Sequence, residues 1–348
     1  MTYGPRRLVF DAIVQVSKLV RPARFDSEAE LKNDLSLLAR AYGVEEITPE
    51  TLNDPHANKT GYFETVEDYY TGTEAQFSGV HSPDGAVHFG LDWDGQFRHD
   101  GFLEQARIVE ELIRRTGARS VLELGSGKGI NSIHLARRNP AVSFMGVDLT
   151  PLHVRIASER GKDIANLRFA RCDFHALACC SEASFDVVFD VEAGCYSDTP
   201  EKLEKFFAEL RRVLRPGGHF VQFGYFRSEG FAELESAAIL AARLVERAWV
   251  IEQFHSESAW KHTAERFGLV ARERSDLRAA SMPSVQRLYQ QAKMFYKVMA
   301  SSAKPLVAPL VRPSTHNSVS AMMLPYAYGL ESLEYPMNVL ALRQTPVA

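Results

Sequence analysis

The chain has 348 residues, 45% of them hydrophobic and 24% charged, the balance of a globular protein long enough to bury a core in one large or two ordinary domains. A formal net charge of −4 and a pI near 6.3 leave nothing global to recruit nucleic acid or an anionic membrane, so any basic site must be local and no nucleic-acid partner is expected. The four cysteines, Cys172, Cys179, Cys180 and Cys195, show no CxxC spacing and no neighbouring histidine cluster; neither a disulfide framework nor a metal site is supported, and a cytoplasmic location is the default.

The opening stretch "MTYGPRRLVFDAIVQVSKLVRPARF" interrupts its apolar run with Asp11, Gln15 and Lys18, which makes it a poor secretory or membrane-spanning segment. Leu8, Ala12, Val16 and Leu19 share one helical face. Arg6, Arg7, Arg21 and Arg24 flank it, so the helix either docks on its own protein or makes peripheral membrane contact. "SEAELKNDLSLLARAYG" follows as a helix capped by Ser27 and Glu30 and closed at Gly43, completing an N-terminal helical segment over 1–60. Residues 61–100 are dense in aromatics and turn formers without a long period, and are expected to form an irregular aromatic lid region. "FLEQARIVEELIRRTGA" is an amphipathic helix ending at Gly117.

The pattern then changes to alternation. "SVLELGSG", "VSFMGVDLT", "LRFARCDF", "FDVVFDVEA" and "HFVQFGYF" read as strands. "INSIHLARRN", "PLHVRIASERGKD" and "TPEKLEKFFAELRRVL" read as the helices between them. That rhythm specifies an α/β fold: a doubly wound, mostly parallel, Rossmann-like sheet over 101–277. Helices are expected over 231–247 and 256–267, then a strand at "LVARERSDL" and a last strand at "YPMNVLALRQT". Between those strands lies a helical insertion, so residues 278–348 are assigned to a substrate cap and the final strand.

The stretch "VLELGSGKGINS" sets the chemistry. A strand running into Gly125, Gly127 and Gly129 and then a helix lets a ligand approach backbone amides. No Lys-Ser/Thr follows Gly129, so a nucleotide-hydrolysing loop is disfavoured. Glu123 would repel a pyrophosphate and welcome an ammonium group. Asp148, closing the second strand, suits ribose hydroxyls. Asp173, closing the third, suits an adenine amino group with Phe174 flanking the ring. Three acids at consecutive strand ends point to S-adenosylmethionine, with Glu123, Gly125, Ser126, Gly127, Asp148, Leu149, Cys172, Asp173, Phe174 and Glu192 as the candidate contacts. The glycines of "RPGG", Gly217 and Gly218, are assigned a structural turn before the fifth strand.

With "VLELGSGKG", "MGVDLT", "ARCDF", "SFDVVFDVEA" and "RRVLRPGGHF" in this order, the protein resembles the class I S-adenosylmethionine-dependent methyltransferases. Within them, "FDVVFDVEAGCYSDTPEKLEKFFAELRRVLRPGG" is similar to the family of C-methyltransferases that act on the side chains of sterols, whose fourth strand ends in a Glu-Ala pair, here Glu192 and Ala193. "VEDYYTGTEAQF", "VHFG" and "GLESLEYPMNVLALR" extend the similarity to the family's lid and C-terminal domain. Where that family has a histidine after its Glu-Ala pair, this sequence has Tyr196, and the lid lacks the family's tryptophan-glycine signature. The expected substrate therefore widens from a sterol to a hydrophobic isoprenoid alkene, terpenoid or prenyl diphosphate.

Methylating an alkene carbon leaves a carbocation, which needs aromatic faces or carboxylates, exclusion of water and one base. Tyr69, Tyr70, Phe77, Phe89 and Trp93 supply the aromatics. Glu192 is the expected cation stabiliser or base, with His88 and Tyr196 as further proton acceptors, His88 titrating near neutrality. Tyr70 completes the catalytic candidates. A diphosphate substrate would call for Mg2+ or a cationic grip from Arg98, His99, Lys293 or Lys297. The rival expectations are an O- or N-methyltransferase of a small secondary metabolite, and a cofactor-binding scaffold without turnover. Self-association is left open.

Overall fold

The computed structural model describes residues 24–53, 65–82, 84–302 and 314–344. The amphipathic face of Leu8 to Leu19, and with it the expected membrane contact, lies outside the described residues. Two compact units partition the protein. One comprises Met1–Pro83, Gly230–Gln253 and Met282–Glu334, the other Asp84–Glu229, Phe254–Ser281 and Tyr335–Ala348. The segment expected to be one lid, 61–100, is thus divided at Asp84.

The second unit is built on a seven-stranded sheet. Its strands are β1 (Ser120–Leu124), β2 (Ser143–Asp148), β3 (Leu167–Arg171), β4 (Phe185–Val191), β5 (Leu214–Phe223), β6 (Leu269–Asp276) and β7 (Pro336–Leu342). They lie in the order β3-β2-β1-β4-β5-β7-β6. The first five pair in parallel, while β7 runs antiparallel to both β5 and β6. The expected mostly parallel Rossmann-like sheet is what forms. Strand order reverses between β1 and β4, and their register sets Leu124 beside Asp190, so the segments leaving both strands emerge together.

The helices answer to the sequence signals. Thr199 caps Pro200–Val213 by accepting from the Lys202 N–H at 3.3 Å, and Leu203, Phe206, Phe207 and Leu210 bury one stripe of it. That stripe meets Leu122, Val188 and Phe220 of the sheet, and Trp260 of the helix Glu257–Arg266 closes the cluster. Gly217 and Gly218 lie within β5 rather than in a turn before it. Gly217 takes φ +81° and the register shifts between Phe185 and Val187; the irregular backbone there leaves no room for a side chain on Gly218, which would meet the Arg215 and Asp186 carbonyl oxygens at 2.9 and 3.0 Å.

In the first unit, Ser27 caps Glu28–Tyr42 and Gly43 closes it in the left-handed region, as the sequence signals. Residues 66–81 depart from the expected irregular lid: Val66–Gln76 is an α-helix running into a π-helical turn, Phe77–His81. The start signal is Thr65, whose hydroxyl accepts from the Asp68 N–H at 3.1 Å, with Glu67 and Asp68 favourably placed in the first turn. Tyr69 packs edge-on against Tyr70 and Phe77, and its hydroxyl donates to Asn317 at 2.6 Å. The helix expected from Phe231 starts at Ser236 after a short 3-10 turn. The insertion is helical over Arg278–Met299 and Ser314–Gly329. Among the described residues no helix is long and apolar enough to cross a membrane.

Trp260 is 2% exposed and touches the rings of Phe207, Phe220 and Phe226. Trp260→Ala is expected to cost roughly 3–5 kcal/mol of stability through the cavity it leaves, read as a lower denaturant midpoint in equilibrium unfolding.

Candidate active site

The site begins at the loop between β1 and the helix Ile130–Arg138. Gly125, Gly127 and Gly129 all take positive φ, at 60°, 52° and 80°. Gly125 must also lack a side chain, because a Cβ there would overlap the Ala193 methyl group beyond β4. The Asp148 carboxylate at the end of β2 accepts from the Gly127 N–H at 2.8 Å and from the Thr150 N–H at 2.8 Å. His153 Nδ1 stands 3.6 Å from it. Asp148 therefore fastens the glycine loop, with lone pairs left to accept from a ligand. Leu149 beside it is a large apolar side chain left 42% exposed, and Ser126 is buried in the loop.

Glu123 sits beneath. Its carboxyl group accepts from Asn131 Nδ2 at 3.0 Å, from the Ser132 N–H at 3.1 Å and from the Ser132 hydroxyl, all on the following helix. Burial pushes its pKa up to about 7. Asp190, absent from the candidates drawn from sequence, lies fully buried at the end of β4. Its Oδ1 accepts from the Ala193 and Gly194 N–H groups at 3.2 and 2.8 Å, whereas Oδ2 has no hydrogen-bond partner among the described residues. Burial raises its pKa to about 7, and the charge of Glu123 adds to the effect.

Asp190 thereby folds a tight turn just beyond β4, and the turn places Glu192 at φ +59°, a left-handed conformation costly for a residue that carries a Cβ. The Glu192 Oε1 accepts from the Phe89 N–H at 3.0 Å and the Tyr335 hydroxyl at 2.8 Å. Burial lifts its pKa to about 8, against the hydrogen bonds from Tyr335, Phe89 and Tyr225. Tyr225 stacks on Tyr335 with ring centres 4.6 Å apart, and Phe254 flanks Tyr225 at 5.8 Å. A carboxyl group beside a cluster of aromatic side chains has thus been assembled from five separated segments of one unit.

The other candidates fall differently. His88 does not titrate near neutrality: it is 3% exposed, its Nε2 lies 2.9 Å from the Phe102 carbonyl oxygen, and burial pushes its pKa down to about 4. The neutral ring donates to that carbonyl. β3 ends at Arg171, so Asp173 stands in the turn beyond the strand rather than closing it. Its carboxylate accepts from the His175 N–H at 2.8 Å and pairs with His175 Nδ1 at 3.0 Å, which holds its pKa below the usual range. Phe174 packs on Phe206. Cys172 is joined to Cys179 in a disulfide with Cα atoms 6.5 Å apart, a pairing not foreseen from their spacing because the turn that brings them together follows no cysteine motif. Tyr196 is partly buried in the 3-10 turn Gly194–Tyr196.

Tyr70 is on the helix Val66–Gln76 of the first unit. Trp93 is 61% exposed and donates to Glu104 at 3.1 Å. Of the cations considered for a diphosphate, Arg98 pairs with Asp94, and Lys293 pairs with buried Asp34 at 3.0 Å; His99 and Lys297 are exposed. Among the described residues no group of three acids, histidines or cysteines is arranged to hold a metal ion.

A family profile described as a methyltransferase domain matches residues 121–218, the stretch that carries the glycine loop, Asp148, Asp190 and Glu192. The protein has a class I S-adenosylmethionine-dependent methyltransferase domain. A phthiotriol/phenolphthiotriol dimycocerosates methyltransferase of Mycobacterium leprae is 39% identical to it over 100 residues, 28% of this chain and 35% of that protein. The sequence thus spans about a third of the length of the curated relatives it matches. Among solved structures, a cyclopropane synthase of Mycobacterium tuberculosis superposes with a TM-score of 0.65 at 12% identity, over 81% of this chain and 99% of that one. A geranyl diphosphate methyltransferase bound to its substrate and sinefungin gives 0.57 at 16% identity, over 78% and 99%. Those two are likenesses of fold.

The methyltransferase domain fits its cofactor on its own geometry. The loop presents glycine backbone, the exposed Leu149 offers an apolar face, and the buried carboxyl groups of Glu123 and Asp190 favour a cation nearby, because a positive charge would relieve the cost of ionising them. Asp148→Asn should weaken S-adenosylmethionine binding by on the order of 10-fold or more, since an amide keeps one acceptor but loses the charge. Titration calorimetry checks this, and an unchanged affinity would remove Asp148 from the candidate cofactor contacts.

Proposed function

We propose that the protein transfers a methyl group from S-adenosylmethionine to an alkene carbon of a hydrophobic isoprenoid, with Glu192 as the base that removes the proton afterwards. The observation that carries this reading is the setting of Glu192: a carboxyl group at a strand end, in a strained backbone conformation, bonded to the Tyr335 hydroxyl, with Tyr225 stacked on Tyr335 and Phe254 flanking Tyr225. Aromatic faces stabilise a carbocation through their quadrupoles, and a carboxylate of raised pKa is a capable proton acceptor. Lipid and isoprenoid names among the relatives and similar folds agree with a hydrophobic substrate.

The cofactor supplies the electrophilic methyl group. Glu123, the glycine loop and Asp148 hold it, on this reading, while Asp190 fixes the turn that aims Glu192. The rival is O-methylation of a hydroxyl, which the same base would serve. The observation favouring it is that Arg98 and Lys293, two of the cations that could grip a diphosphate, are already engaged by Asp94 and Asp34.

Two measurements test the proposal. Isotopically labelled S-adenosylmethionine should leave its label on carbon when offered a panel of sterols, prenyl diphosphates, and phenolic or amine acceptors. Label on oxygen or nitrogen would replace the alkene mechanism by the rival. For Glu192 the sign is set by its raised pKa: the carboxyl group is mostly protonated at neutral pH, so kcat/KM should climb with pH through about 8. Glu192→Gln should lose on the order of 10²-fold in turnover with unchanged cofactor affinity, and its pH profile should lose that limb.

A further inference from the structure

Resting on the reading of Glu192 as the base, we infer that Tyr335 and Gln105 are positioning residues, closing a ring of hydrogen bonds that fixes which way the Glu192 carboxyl group points and how readily it ionises. The ring has four members. The Tyr335 hydroxyl donates to Glu192 Oε1 at 2.8 Å, and the Phe89 N–H donates to the same oxygen at 3.0 Å. The Phe89 carbonyl accepts from Gln105 Nε2 at 2.7 Å, and that amide reaches back to the Tyr335 hydroxyl oxygen at 3.4 Å. Gln105 and Tyr335 are both fully buried.

Each contact directs the next. A tyrosine hydroxyl has one proton, and by taking a hydrogen bond from Gln105 it is left to give that proton to Glu192. The stack of Tyr225 on Tyr335 holds the ring planes at 22° to each other, so the hydroxyl cannot swing away without breaking an aromatic contact. Oε1 is thereby held from two sides, by the Tyr335 hydroxyl and the Phe89 N–H, which fixes the plane of the carboxyl group. Nothing in "GLESLEYPMN" marks Tyr335 as part of a site. Its partner Gln105 sits on the buried side of the helix Glu104–Thr116, where a glutamine would otherwise be an ill-suited core residue.

The charged and titratable groups around Glu192 are Asp190, whose charge opposes ionisation, the Cys195 thiol, which donates to the Glu192 carbonyl oxygen at 3.2 Å, and the hydroxyls of Tyr225 and Tyr335. Tyr335 heads the hydrogen bonds that favour the carboxylate. Removing its hydroxyl must therefore raise the pKa of Glu192 further, not lower it.

The test compares Tyr335→Phe, which keeps the stacked ring, and Gln105→Leu with wild type and Glu192→Gln. Two readouts are needed: the pH dependence of kcat/KM, and infrared titration of the protonated carboxyl stretch that disappears in Glu192→Gln. Tyr335→Phe should move both midpoints to higher pH by about one unit, lower kcat/KM near neutrality by roughly 10-fold, and leave S-adenosylmethionine affinity unchanged. Gln105→Leu should move them the same way by less. Unmoved midpoints in folded Tyr335→Phe would overturn the inference. Should Glu192→Gln turn over at the wild-type rate, the base assignment fails instead, and the infrared titration still reports whether Tyr335 governs the carboxyl group.

Discussion

The site depends on how closely two strand ends approach one another. β1 and β4 are hydrogen-bonded neighbours at the point where strand order reverses, so the segments leaving them must pass at van der Waals distance. Gly125 and Ala193 are the residues that permit this, since a methyl group on the former would occupy the place of the latter. From that contact follow the left-handed loop, the fastening of Gly127 to Asp148, and the turn that Asp190 folds with the Ala193 and Gly194 amides. One steric fact thus joins the half of the site that suits a cofactor to the half that carries Glu192.

Electrostatics runs through the same residues. Glu123, Asp190 and Glu192 are held in surroundings that oppose their ionisation, chiefly through burial and secondarily through neighbouring carboxylate charge. A binding site for a neutral ligand would gain nothing from such an arrangement. A positively charged ligand gains from it directly, because each carboxyl group can ionise more easily once the cation is present. Asp190 stands out because one oxygen carries the turn and the other is left without a partner among the described residues. Structural carboxylates in this fold unit, such as Asp186 with Arg215 and Ser120, are fully engaged instead.

The sheet was legible because its strands and helices alternate with clean periods, and the glycine loop because only one backbone geometry suits glycines at that spacing. Asp148 and Glu192 could be found as carboxylates at the ends of apolar runs. What escaped reading depends on distant segments meeting. Tyr335 and Gln105 look in sequence like a strand-edge aromatic and a helix polar residue, and only the pairing of β7 beside β5 brings Tyr335 to Glu192. His88 departs from its expected titration for the same reason: its ordinary pKa is a property of the solvated ring, and the fold buries it against the Phe102 carbonyl. The helix at Val66 escaped because its signal is a single cap at Thr65, hidden in a stretch rich in turn formers.

The late arrival of Tyr335 has a consequence for how the protein is made. During synthesis the glycine loop, Asp148 and Asp190 leave the ribosome well before β7, and β1 to β5 can already pair as a parallel sheet. A nascent polypeptide at that stage has the residues suited to hold the cofactor but not the hydroxyl that directs Glu192. The place of β7 between β5 and β6 completes the sheet and sets that hydroxyl beside Glu192. The hydrogen-bonded setting of Glu192 is in this way complete only once the last strand is in place.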